Sequence, residues 1–114
     1  MDEMNSILNS VKKQLGAEAD YAHFDSEIII NINAAFSRLC QLGVGPDTPF
    51  KISDATAVWI DFIEDGHLEE VKQYVYLKVK LVFDPPSNSF LLDSINKQID
   101  TLEWLMNSVS EVGY

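Results

Sequence analysis

The stretch Tyr74-Val-Tyr-Leu-Lys-Val-Lys-Leu-Val-Phe-Asp-Pro-Pro-Ser-Asn-Ser-Phe90 decides the fold class, because two readings compete for it. Val75, Leu77, Val79, Leu81 and Phe83 alternate with Tyr76, Lys78 and Lys80, the period of a half-buried strand. A strand, however, must pair its backbone groups, and no second alternating run occurs in the chain to pair with it. Taken with the residues before it, the segment gives a helix over 67–83. Leu68, Val71, Val75, Val79 and Val82 form its apolar stripe, and Glu69 and Glu70 sit in its positively polarised first turn. Pro85 and Pro86 push the residues before them away from helical geometry, so Asp84-Pro-Pro-Ser breaks the chain before another helix begins.

Beyond the break, Ser87, Asn88 or Ser89 offers an N-cap. Leu92, Ile95, Ile99, Leu102, Met106 and Val109 then recur at alternating three- and four-residue spacing, a sustained heptad seam. Leu91, Trp104 and Leu105 lie beside or off that seam, giving this helix more apolar surface than one partner helix covers. Upstream, residues 2–15 read as a short amphipathic helix (Met4, Ile7, Leu8, Val11, Leu15) stopped by Gly16. Asp25 or Ser26 caps a stronger helix carrying Ile28, Ile32, Ala35, Leu39 and Leu42 and ending at Gly43. After a loop containing Pro46 and Pro49, Ser53 and Asp54 cap a third helix through Ala57, Val58, Trp59, Ile60 and Phe62, closed by Asp65-Gly66. The expectation is therefore an all-α chain: one small bundle of about five helices, with the Pro-Pro break between the last two. The 114 residues make a single domain, with an N-terminal helix and loop over 1–24, a helical core over 25–109 and a flexible tail over 110–114.

Composition narrows the function. Eight Lys and Arg against eighteen Asp and Glu leave a net charge of −10, which argues against nonspecific binding of nucleic acid or of an anionic membrane. The acids Asp54, Asp61, Glu64, Asp65, Glu69 and Glu70 fall in a span with no basic residue; they read as a solvated face or as a surface that must not hold an anion. The N-terminal residues lack the layout of a signal peptide and no apolar run reaches membrane-spanning length, so a soluble protein kept inside a cell is expected. The lone Cys40, in an apolar setting, makes a poor thiolate and no intrachain disulfide.

No catalytic or cofactor-binding constellation emerges. His23 and His67 have no partners at motif spacing, and neither a phosphate-cradling glycine loop nor a zinc pair is present. Asp61, Asp65 and Gly66 match three positions of a calcium loop, but Ile63 and Lys72 stand where oxygen ligands are required. Neither an enzyme nor a metal or cofactor protein is expected.

Val71-Lys-Gln-Tyr-Val-Tyr-Leu-Lys-Val-Lys-Leu-Val-Phe-Asp-Pro-Pro-Ser-Asn-Ser-Phe90, followed by Ile99-Asp-Thr-Leu-Glu-Trp-Leu-Met-Asn107 and preceded by Ala57-Val-Trp-Ile-Asp-Phe62, resembles the head-to-tail connector (adaptor) proteins of tailed bacteriophages and prophages. The resemblance covers roughly residues 54–107. It implies a helical, non-enzymatic subunit made in the host cytoplasm and built into the virion neck. Such subunits assemble with copies of themselves as a dodecameric ring under the portal protein, extend the DNA channel without specific DNA binding, and dock the stopper or tail-completion protein. On that reading Tyr74, Tyr76, Lys78, Lys80 and Trp104 are the expected subunit contacts, since Tyr and Trp give rigid contact area and the lysines can meet a neighbour's acids. Asp54, Asp61, Glu64, Asp65, Glu69 and Glu70 are the expected channel-facing acids, and Glu111, Val112 and Tyr114 the expected portal-docking tail. The competing class is a small helical regulatory module that recognises a partner helix through the apolar excess of the last helix.

Overall fold

The computed structural model describes residues 6–16, 22–46, 50–63 and 68–112, with side chains described as far as Asn107. Among these there are four α-helices and no strand: α1 (Ile7–Leu15), α2 (Asp25–Gln41), α3 (Leu68–Phe83) and α4 (Ser89–Val112). Residues 84–88, with Pro85 and Pro86, lie between α3 and α4. α3 is the hub, packing against α1, α2 and α4. Its Val71, Tyr74, Val75 and Val79 have no solvent exposure, and each fully buried side chain of this kind stabilises the fold by about 1.5–3 kcal/mol.

The hub position explains the strand-like alternation. A helix covered on several sides is apolar around most of its circumference, so Leu77 is buried and Tyr76 and Leu81 are half-buried beside the main stripe. Val82 departs from the expected stripe: it is 67% exposed, while its neighbours Leu81 and Phe83 pack against the core. On α2, Ile28, Ile32, Ala35 and Leu39 are buried as their spacing requires, and Phe36 joins them. The α2 N-terminus differs in detail, because Asp25 is already helical and Phe24 holds the cap position without a side-chain bond. On α4, Ile95, Ile99, Leu102 and Met106 face the core. The segment expected to be a loose tail is helical as far as Val112.

Four α-helices replace the expected five because residues 54–62 do other work. Only Trp59–Asp61 coil, as a single 3-10 turn, and Val58 is extended (φ −120°, ψ 157°). This segment caps α1. The first N–H groups of a helix have no partner inside it; here the Ile7 N–H donates to the Ala57 carbonyl at 3.0 Å and the Asn9 N–H to Ser6 Oγ at 3.2 Å. Ser6 Oγ in turn donates to the Ala55 carbonyl at 2.8 Å, and Ser6 bridges Val58. The Trp59 indole N–H donates to Ser10 Oγ at 2.9 Å in the interior. Asp54 caps no helix; its carboxylate accepts from the Thr56 N–H at 2.9 Å and closes a turn. Just upstream, the Asn33 side chain on α2 accepts from the Ile52 N–H (2.8 Å) and donates to the Ile52 carbonyl (3.0 Å), pinning the connection from α2. Gly45 takes φ +91° and lies so close to the Phe62 ring that a side chain there has no room. The expected stop at Asp65-Gly66 and start at His67 fall outside the described residues.

Candidate subunit interface

Tyr74 was expected at a contact with a neighbour, but its exposure is 0% and it belongs to the interior of the protomer. Its hydroxyl donates to Glu103 Oε2 at 2.6 Å, and Arg38 donates to both Glu103 oxygens, at 3.1 Å through Nη2 and 3.4 Å through Nε. One carboxylate thus ties α2, α3 and α4 together. Burial alone pushes Glu103 up; the hydrogen bonds from Arg38 and Tyr74, with the charges of Arg38 and Lys78, outweigh it and hold the carboxyl below its ordinary range. Burial, then the Glu103 hydrogen bond, pushes the Tyr74 phenol well up.

The lysines expected at an interface are engaged within the protomer. Lys78 Nζ lies 5.9 Å from the centre of the Tyr74 ring, and Lys80 pairs with Asp84 at 3.5 Å one helical turn on. Tyr76 is half-buried and lines a groove with Gln14, Glu69, Lys72 and Gln98. Trp104 alone among the expected contacts is openly displayed, at 67% exposure.

Trp104 is not isolated. Phe90 (78% exposed) precedes it by fourteen residues, with Lys97 midway, so these three form a heptad-spaced row on the side of α4 opposite its buried seam. Leu91 and Leu105, also exposed, flank the row. A second apolar surface is concave: a groove of ≈ 670 Å³ where α1 ends, α2 begins and α3 ends, walled by Leu15, Phe24, Ile30, Val82 and Phe83 and edged by Glu27 and Asp84. Phe24 packs edge-on to Phe83 at 5.2 Å between ring centres, joining two of these walls. The row was only half legible in sequence, since Leu91, Trp104 and Leu105 stand off the seam but Phe90 hides in the N-terminal turn. The groove has no sequence signal, because its walls come from three helices.

Of the expected channel acids, Asp54 and Asp61 sit on the capping segment and Glu69 and Glu70 on the first turn of α3; Glu64 and Asp65 lie outside the described residues. Asp54, Asp61 and Glu69 are exposed. Part of their charge is used locally: Thr56 holds Asp54 low by hydrogen bonding, Asp61 Oδ2 accepts from the Val58 N–H at 3.3 Å, and Glu69 stands 3.9 Å from Lys72. The side chains of Glu111 and Val112, and all of Tyr114, are outside the described residues. Among the described residues no cluster of His, Cys, Asp or Glu is arranged to hold a metal ion, and no helix is long and apolar enough to cross a membrane.

A small all-helical protein whose most prominent exposed features are an aromatic-studded helix face and an apolar groove is built for contact with other macromolecules. The family comparison agrees: the chain belongs to the phage connector protein family, whose model matches residues 7–113, nearly the whole sequence. It is a structural component of the virion. No curated protein and no solved structure matches it.

Proposed function

We propose that this connector is a non-enzymatic head-to-tail adaptor subunit of the virion neck. It assembles as a dodecameric ring beneath the portal, prolongs the DNA channel and presents a platform to the stopper or tail-completion protein. The family match over residues 7–113 carries the proposal. The exposed apolar row and groove support it, because a ring subunit must bury such surface against neighbours. The net charge of −10 suits a channel wall past which phosphate slides without binding; the exposed acids Asp54, Asp61 and Glu69 are the proposed lining, with Glu70, Glu64 and Asp65. The C-terminal residues, including Glu111, Val112 and Tyr114, are the proposed portal-docking segment.

The test is electron microscopy of the full chain added to purified portal or to filled, tailless heads. Rings capping the portal vertex are expected. An undecorated portal, with small complexes formed on some other partner, would instead identify the protein as a helical binding module.

A further inference from the structure

α2 and α3 run antiparallel, and two levels fix their register: Ile30 and Val82 wall the same end of the groove, and Arg38 meets Tyr74 and its partner Glu103 two turns away. Ala34 and Lys78 therefore face each other between these levels, one helical turn from either. Ala34 is exposed and too short to roof the junction, and Lys78 is half-buried. The groove thus continues as a furrow for about 12 Å, the rise of the eight residues from Ile30 to Arg38, with Ala34 and the apolar stem of Lys78 along it. At its far end the Lys78 ammonium stands 5.9 Å from the centre of the Tyr74 ring, and Arg38, its side chain 46% exposed, holds Glu103. Two cations share one carboxylate there. Among the described residues the Lys78 ammonium has no carboxylate within ion-pair distance and no hydrogen-bond acceptor, and Asp100, exposed one turn before Glu103 on α4, pairs with neither cation. At the near end the sign reverses: Glu27 and Asp84 edge the groove, and of these Asp84 is paired, with Lys80, and the Glu27 carboxylate is not.

We propose that this furrow receives a helix of a different neck protein, seated by an apolar side chain between Ile30 and Val82 and by a carboxylate, about two turns nearer the C-terminus of that helix, which meets Lys78 and Arg38. A cleft between two helices is a shape that an amphipathic helix fills. Charge complementarity selects this occupant in two ways. A half-buried ammonium without an acceptor gains from an anion brought beside it out of bulk water. The peptide dipoles make the N-terminus of a helix positive and its C-terminus negative, so a helix starting over Glu27 and ending over Lys78 matches both ends of the furrow. The reverse direction sets its acid against Glu27 and leaves Lys78 unmet. A second copy is disfavoured here, because bringing −10 against −10 opposes the contact. The inference deepens the adaptor reading above and rests on it for the partner's being a neck protein.

The experiment uses the full chain on filled, tailless heads, before and after tails are joined, with a water-soluble carbodiimide as the probe. The reagent activates a carboxylate, and an amine held against it displaces a urea to form an amide. Lys78 should be joined to an Asp or Glu of a different neck protein, read as a linked peptide by mass spectrometry, beside any internal link to Glu103. Lys78→Met keeps the stem and removes the charge, and Ile30→Ser removes one apolar wall. Each should lower, roughly tenfold, the fraction of particles completing the step at which the link appears, while Lys78→Arg should behave as wild type. Ile30→Ser should keep the wild-type thermal unfolding midpoint, since Ile30 is 66% exposed. A link from Lys78 to a carboxylate of another copy, such as Glu111, would make the occupant a second copy and overturn the proposal. Retardation of duplex DNA that Lys78→Met abolishes would assign the site to phosphate and overturn it as well. Rings that form and join tails with both variants, and show no link beyond Glu103, would overturn the docking while leaving the adaptor function intact. Heads and tails left bare by the wild-type chain would overturn the adaptor function and this occupant with it.

Discussion

At the scale of single residues, Glu103 and Ser10 hold the fold by the same logic: a polar group inside the protein must be met by a partner. Tyr74→Phe keeps the ring in its site and removes one bond to the charged Glu103 carboxylate, which Arg38 still holds; unfolding in urea should show a loss of about 1.5–3 kcal/mol. Because Glu103 titrates below its ordinary value in the fold, its contribution is complete above the usual glutamate range near pH 4.5 and disappears as pH falls through the depressed folded value. Glu103→Gln should therefore be less stable than wild type at pH 7, and the gap in thermal midpoint should close in the acid range below about pH 4.5. A gap that persists unchanged to pH 3 would mean that the carboxylate's charge contributes nothing. Ser10→Ala is harsher for its size: it strands the buried Trp59 indole N–H, at a cost of about 1–3 kcal/mol. Ser10→Thr, which keeps the hydroxyl, should recover most of that loss unless its methyl finds no room.

At the scale of elements, a helix that carries its own pattern was legible and a segment defined by its partner was not. α2 and α4 show their seams in spacing alone, and α3 could be separated from a strand because a lone strand has nothing to pair with. The segment over 54–62 misled because Ala57-Val-Trp-Ile-Asp-Phe has acceptable helical spacing. What sets it straight is Ser6 and Ile7, nearly fifty residues away, whose polar groups take the Ala55 and Ala57 carbonyls as partners and bridge an extended Val58. Tyr74 was likewise expected at a subunit contact, and nothing in the spacing shows that Glu103 takes its hydroxyl inside the protomer. The capping segment stays in place partly because the chain bends tightly at Gly45 beneath Phe62. Gly45→Ala should cost about 1–2 kcal/mol for the left-handed backbone alone, and more if the Phe62 ring cannot shift. Hydrogen exchange should show the loss first in residues 50–63, with α3 still protected.

At the scale of the whole molecule, charge decides which contacts form. With a net charge of −10 the chain should not retard duplex DNA in a gel even at low salt, where electrostatic binding is strongest. The same charge opposes assembly of one copy on another, and its reach depends on salt: the screening length shortens from about 30 Å at 0.01 M to about 8 Å at 0.15 M. Repulsion between whole subunits acts over such distances and is screened away. Burial of apolar surface between subunits does not depend on screening. Ring formation on the portal should thus rise between these two salt concentrations, the reverse of an assembly driven mainly by opposite charges. Changing Asp54, Asp61, Glu69 and Glu70 to lysine separates the two roles proposed for the acids. It relieves the repulsion, so the low-salt deficit should shrink, and it gives the wall an affinity for phosphate, so rings should retain DNA in a salt-sensitive way. Rings that assemble best at 0.01 M would show that these acids do not oppose assembly, and rings that still release DNA after the four reversals would show that they do not keep the channel smooth.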